Sequence, residues 1–421
     1  MLKHLKKLDS FTQNIILVFA GTTLVNIFNL VYQLLLAHQL TPPDFAAFNS
    51  LIAIFIIVSG PFGTFQQVIV KYIAEFHAQG KEEKTRALFS GLLRILLITA
   101  AVLFILFSVA SVTLTDKLKV PSVISGYLLA ASLALSIITP LFLGALQGLE
   151  RFQWFAGISV VGAIVKLALT VFLLWLGLKV TGALTALLIS VIIPIAFSYI
   201  PLKNLCSLRT LKHDVPLQDL FLYCLPIATA MFCFMSLATF DMVMVKYYFS
   251  PEDSGIYSLA QMVGKIFLFL PGAISIVMFP RSARLKAKNI ETHSTLTKSL
   301  FYAGLLSLAA LIFYNMFPGF VLTVLTGKAF PESIYLGRLF SISMTLYTLI
   351  LILIQYFLSL KDFRFLPYLM VSTVLQFSAI AYLHKSLAQV QYVICANAAI
   401  LFVIHLILSG SHKPVKTNAA L

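Results

Sequence analysis

The sequence predicts an all-α polytopic membrane protein of about twelve transmembrane helices, arranged as two six-helix bundles related by a pseudo-two-fold axis along the membrane normal. Three observations carry this expectation. Of 421 residues, 60% are hydrophobic and 11% charged, whereas soluble domains are about 25% charged. The mean hydropathy is +0.97, and windows of about 20 apolar residues, enough to cross about 30 Å of hydrocarbon, recur along the chain. The landmarks of the first half also return, in order, in the second half. The apolar runs are continuous rather than alternating, which excludes a β-barrel.

Charged and turn residues divide the apolar mass into spans at 14–38, 42–70, 87–110, 122–146, 156–176, 180–202, 218–248, 251–279, 297–317, 331–359, 365–383 and 388–409. The first run is too long for a signal-peptide core and lacks a cleavage site, so it is expected to stay as a helix. Lysine and arginine set the orientation. Twenty lie at the ends and loops on the N-terminal side, from Lys3 to Lys416, and six on the other (Lys117, Lys119, Lys179, Lys246, Lys328 and Lys385), which places both termini in the cytoplasm. The expected division is an N-terminal bundle at 1–202, a cytoplasmic linker at 203–217, a C-terminal bundle at 218–409 and a cytoplasmic tail at 410–421. The net charge of +15 is mainly this orientation signal. No basic face interleaved with exposed aromatics points to nucleic acid.

The repeat is clearest where LTPPDFAAFNS at 40–50 answers FSPEDSGIYSL at 249–259. Each phrase starts a helix. Thr41 or Ser250 caps it, Pro42 or Pro251 takes the first helical position, and Asp44 or Asp253 completes a capping box beside the positive end of the helix dipole. Pro61 matches Pro271 and Lys71 matches Arg281, both at an offset of 210, half the chain length. Two halves of six spans have the same orientation, the parallel-repeat arrangement of many transporters. Chance recurrence of capped helices is the alternative.

Four basic residues, Arg94, Lys166, Lys265 and Arg338, and one acid, Asp241, fall inside spans. A charge at the bilayer centre costs about 2.5–3.5 kcal/mol on insertion scales. Arg94 lies about seven residues into its span, roughly 10 Å deep, and Arg338 is similarly near a span end, so each either faces a cavity or snorkels to the surface. Lys166 and Lys265 sit near the midplane and are expected to face a hydrated cavity. Lys265 could instead pair with Asp241. Even so, an in-membrane surplus of three positive charges remains, which calls for an anionic ligand such as a diphosphate.

Pro61, Pro140, Pro194, Pro226 and Pro271 fall inside spans and can kink them. Asn26, Asn29, Gln66, Gln67 and Gln261 supply amides that either meet sugar hydroxyls or join helices. Gly144 and Gly148 form a GxxxG that reads as close helix packing. The four cysteines form no CxxC, the eight histidines show no ligand spacing, and GxxxxGK[ST] does not occur. The expectation is therefore no disulfide, no metal, no cofactor and no P-loop nucleotide site.

LVNIFNLVYQLLLAHQLTPPDFAAFNSL followed by QQVIVKYIAEFHAQGKEEK, and FDMVMVKYYFSPEDSGIYSLAQMVGKIFLFLPGAISIVMFP, resemble the oligosaccharide flippases. These form the polysaccharide-transporter branch of the multidrug/oligosaccharidyl-lipid/polysaccharide exporter superfamily. The chain departs from many relatives where Ala46 or Ala47 replaces a glycine. The resemblance implies alternating access around a central cavity and no enzymatic activity. Its cargo would be an undecaprenyl-diphosphate-linked glycan, such as an O-antigen-type repeat unit, crossing the bacterial cytoplasmic (inner) membrane. The implied partners are that lipid-linked oligosaccharide, membrane lipids, and the polysaccharide polymerase and glycosyltransferases of the same pathway. On this reading Lys265, Lys166, Asp241, Arg94, Arg338, Gln66 and Asn29 are the candidate substrate-binding residues. Two alternatives are a cation-coupled drug antiporter with Asp241 as its ion site, and an intramembrane glycosyltransferase or ligase. The short outer loops argue against the second.

Overall fold

A computed structural model describes residues 10–206, 217–269, 272–288 and 290–410. Two compact units divide the chain, one of Met1–Leu40 with Ile54–Ala228 and the other of Thr41–Ala53 with Thr229–Leu421. The first contains helices α1 (Ser10–Gln39), most of α2 (Pro42–Ala78), α3 (Glu82–Lys117), α4 (Val123–Ser136), α5 (Thr139–Gly148), α6 (Phe152–Trp175) and α7 (Lys179–Leu202). Helix α8 (Leu217–Tyr248) begins in the first unit and continues into the second, which also takes the opening turns of α2. The second unit is completed by α9 (Pro251–Phe269), α10 (Gly272–Ala287), α11 (His293–Met316), α12 (Pro318–Thr326), α13 (Pro331–Ser359), α14 (Leu366–Tyr382) and α15 (Leu387–Gly410).

Both copies of the helix-start phrase fold as their side chains dictate. Thr41 Oγ1 donates to the Asp44 carboxylate at 2.8 Å and accepts from the Asp44 N–H at 3.3 Å. Ser250 and Asp253 repeat the pair of bonds at 2.8 and 3.1 Å. At the opposite type of terminus, the Arg151 guanidinium donates to the Pro201 carbonyl near the end of α7, and the Lys286 ammonium to the Leu360 carbonyl just beyond α13. Cations there satisfy terminal carbonyls and complement the helix dipole.

Among the described residues, ten helices are long and apolar enough to cross a membrane, and they coincide with ten of the expected spans. The other two fall on α9 with α10 and on α14, which has 17 residues. Several boundaries need correction. Helices α2 and α3 overrun the expected spans, and α10 carries Arg281, Arg284 and Lys286, which lie beyond the end of the expected span 251–279. Hydropathy marks only the apolar part of a helix, while the backbone continues through lysine, arginine and glutamate, all good helix formers. Residues 318–330, between the ninth and tenth expected spans, contain α12, started by Pro318 and ended by Gly327 at φ 70°. The fourth span breaks at Ile137–Ile138, where Pro140 cannot donate to the preceding turn. Pro61, Pro194 and Pro226 remain inside continuous helices. Pro271, residues 207–216 of the linker and the charged termini lie outside the described residues.

The outward faces are apolar. On α3, Ile98, Val102, Ile105 and Val109 are exposed, the last by 76%, and on α11 Phe301, Leu305, Leu308 and Ile312 repeat that spacing. Such stripes suit lipid. Trp175 and Tyr382, 80% and 85% exposed, stand at helix ends, as aromatics at a membrane interface do. In the second unit α13 is the central helix, packed by α9, α10, α11 and α15. In the first, Ile69 and Ile73 of α2 pack in one core with Leu88, Phe89 and Leu92 of α3 and Leu141, Phe142 and Ala145 of α5. Phe89 meets Phe142 edge-on at 5.4 Å.

The GxxxG is the seam between α5 and α2. A Cβ at Gly144 would stand 3.0 Å from Ile69 Cγ2, and one at Gly148 2.9 Å from Ile73 Cβ. Replacing both with valine is expected to destabilise the first unit by about 1–3 kcal/mol per site through overpacking. A lowered melting temperature of the detergent-purified protein, followed by size exclusion, checks this. Gly63→Ala, whose Cβ meets open space on α2, should leave it unchanged or raise it.

Candidate functional site

In each unit a half-buried lysine within the spans meets a neutral asparagine. In the first, the Lys166 ammonium of α6 donates to Asn29 Oδ1 of α1 and lies 4.5 Å from the centroid of the Tyr32 ring. Asn29 and Tyr32 share a helix face at i, i+3, so α1 presents an oxygen and a π-face to one cation. Tyr32 is oriented in turn, its hydroxyl donating to the Ala183 carbonyl of α7 at 3.2 Å.

In the second unit, Lys265 of α9 donates to Asn49 Oδ1 of α2 at 2.8 Å, and Asn49 Nδ2 donates to Ser258 Oγ at 2.8 Å. Asn49 and Ser258 are 209 residues apart, the offset of the repeated phrase, so the two helix starts meet there. Gly255 allows it, since a Cβ would stand 2.7 Å from the backbone carbonyl carbon of Pro42. Its counterpart in the first phrase is Ala46, fully buried.

One turn before Lys265, Gln261 reaches the buried Asp241 carboxylate of α8 at 3.3 Å, and Tyr257 donates to it at 2.6 Å. Gln391 of α15 donates to the Tyr257 oxygen at 2.6 Å. The carboxylate is thus held by neutral donors, and the Lys265 ammonium by a neutral acceptor, instead of the direct Lys265–Asp241 pair left open by the sequence. A second set of amides lies beyond: Tyr347 and Asn397 both donate to Gln376 Oε1, at 2.5 and 2.8 Å.

Gln66, the remaining amide among the candidates, sits elsewhere in the first unit. It donates to Gln147 Oε1 of α5 at 3.0 Å, beside a cavity of about 390 Å³ lined by Gly63, Gln66, Gln67, Val70 and Gln147. Arg94 and Arg338 stand exposed on α3 and α13. In the first unit Asn29 and Lys166 meet and Gln66 lines a cavity; in the second, Lys265 lies one turn after Gln261, which reaches Asp241. Asn29 is not a spare amide for substrate, because its oxygen is taken by Lys166. Among the described residues no group of three His, Cys, Asp or Glu side chains is placed to hold a metal.

Sequence reasoning missed Tyr32, Asn49, Tyr257 and Gln147. Asn49 and Tyr257 stood inside the repeated phrase, in columns that the capping logic did not need. Tyr32 was visible only as the residue one turn after Asn29. Gln147 precedes the second glycine of the GxxxG, whose close packing brings it to Gln66.

A chain of two helical units with ten helices able to span a bilayer and lysines buried within them is a multi-pass membrane protein. Its fold is that of the MATE transporters of the MOP superfamily. It is similar to an inward-facing multidrug resistance MATE family transporter of that superfamily at TM-score 0.74 and 15% identity, covering 94% of this chain and 96% of the other. An outward-facing MATE transporter gives TM-score 0.60 at 15% identity, covering 94% and 93%. A MOP superfamily transporter from Pyrococcus furiosus, described by a reverse polarity of its binding pocket, gives 0.60 at 14%, covering 94% and 93%. No curated protein sequence matches the chain. Residues 11–286 match the family described as Polysaccharide biosynthesis protein, and the chain belongs to that family. The expected fold class and family are both borne out.

Asn29→Leu strands the Lys166 ammonium and is expected to cost about 1–3 kcal/mol. Adding Lys166→Met should restore most of that, because both polar partners are then gone. Thermal unfolding of the single and double variants checks the cycle.

Proposed function

We propose that this protein flips a polyprenyl-diphosphate-linked oligosaccharide across the bacterial cytoplasmic membrane by alternating access, with Lys166 and Lys265 attracting the diphosphate. The observation that carries this reading is the form of lysine burial. Each ammonium donates to an asparagine oxygen, which supplies a hydrogen bond and brings no negative charge of its own. A doubly charged phosphate group can supply what the amides do not. The polyprenyl chain stays in lipid while the head group moves, and no covalent chemistry is required of the protein. Membership of a polysaccharide biosynthesis family supports the cargo class. The excess of lysine and arginine over acid within the spans has the wrong sign for a cationic drug, and Asp241, which would serve a cation-coupled antiporter, is already enclosed by Tyr257 and Gln261.

Charge reversal tests the role. Lys265→Glu and Lys166→Glu should each abolish flipping of a fluorescent lipid-linked oligosaccharide in proteoliposomes while folded protein remains in the membrane. Lys265→Met should lose about 30-fold or more, since removing one partner of a buried charged contact costs about 2–5 kcal/mol. Unimpaired flipping by either glutamate variant refutes the proposal. The lysine and arginine distribution supports both termini in the cytoplasm. A C-terminal green fluorescent protein fusion should therefore fluoresce and an alkaline phosphatase fusion stay inactive; the reverse pair of results overturns that orientation.

A further inference from the structure

We infer that the glutamine-lined cavity of the first unit is a subsite for one sugar ring of the cargo, an inference that rests on the function proposed above. Gly63, Gln66, Gln67 and Val70 follow i, i+3, i+4, i+7 spacing and so line one face of α2, and Gln147 closes the cavity from α5. The space of about 390 Å³ would hold about a dozen waters, the scale of one monosaccharide with its hydroxyls.

The lining chemistry selects the ligand class. Its polar groups are three primary amides, each presenting a carbonyl acceptor and an NH₂ donor. Gln66 and Gln147 spend one donor and one acceptor on each other, which leaves an acceptor on one and a donor group on the other. Gln67 makes no hydrogen bond among the described residues and is exposed to the cavity. A sugar hydroxyl both donates and accepts, so neighbouring hydroxyls match such amides without any charge. A cation would find no carboxylate in the lining, and a lipid chain would leave the amides unsatisfied. Gly63 borders open space, since a Cβ there would meet nothing within 4 Å. The α2–α5 glycine seam holds the two walls at fixed separation, so the amides are pre-positioned.

The test compares binding of undecaprenyl diphosphate with binding of the same lipid carrying one glucose, galactose, N-acetylglucosamine or N-acetylgalactosamine. Full-length protein in nanodiscs is titrated and read by native mass spectrometry. The wild type should bind at least one sugar-bearing lipid about tenfold more tightly than the bare lipid, as one or two hydrogen bonds allow. Gly63→Leu, which projects an apolar isobutyl group into the cavity, and Gln67→Ala, which removes an uncommitted amide, should each erase that preference and leave affinity for the bare lipid unchanged. The inference is overturned if no sugar raises wild-type affinity, or if both variants keep the preference. Binding of a sugar-bearing lipid without binding of the bare one would sink the diphosphate reading and leave the subsite standing, whereas binding of none would remove both.

Discussion

An ammonium ion among apolar helices has to find oxygen, and the kind of oxygen it finds decides what it can do next. Lys166 and Lys265 each find the side-chain carbonyl of an asparagine. A carboxylate there would have neutralised the charge and left an inert ion pair. An amide lowers the desolvation cost and leaves the charge to act on another molecule. The acid in the second unit is treated in complementary fashion. Asp241 takes hydrogen bonds from Tyr257 and Gln261, with Gln391 behind Tyr257, so its negative charge is spread over neutral donors. Acid and base share a unit without a direct bond.

These contacts need helices that approach closely, and the hydrophobic effect supplies little drive for helix association within a bilayer, where lipid tails are as apolar as leucine. Small residues supply the approach. Gly144 and Gly148 seat α5 on Ile69 and Ile73 of α2, and Gly255 lets the start of α9 rest on Pro42. The first contact brings Gln147 to Gln66; the second brings Ser258 and Lys265 to Asn49. Each polar arrangement is thus a consequence of a glycine on the neighbouring helix. The exposed apolar stripes of α3 and α11 suit lipid.

What was legible in the sequence followed from solvent. Bilayer-length apolar runs located the spans, and the Thr41–Asp44 and Ser250–Asp253 boxes located two helix starts because capping involves only four consecutive residues. What was not legible involved residues far apart in sequence or elements that hydropathy does not mark. Helix α12 falls between expected spans because nine residues are too few to span a bilayer, although Pro318 and Gly327 punctuate it. The ends of α2, α3 and α10 were cut short because charged residues end an apolar run without ending a helix.

The sequence by itself determined that this chain lives in a membrane, that its halves share landmarks, and that its spans carry more base than acid. All three are sums or local patterns, which need no knowledge of neighbours. Only the tertiary structure decided that Asn29 and Asn49, rather than Asp241, receive the two lysines, and that Gln66 faces Gln147. Those pairings span from 81 to 216 residues, and hydrogen bonds form between atoms within about 3 Å, a distance that helix packing alone can set.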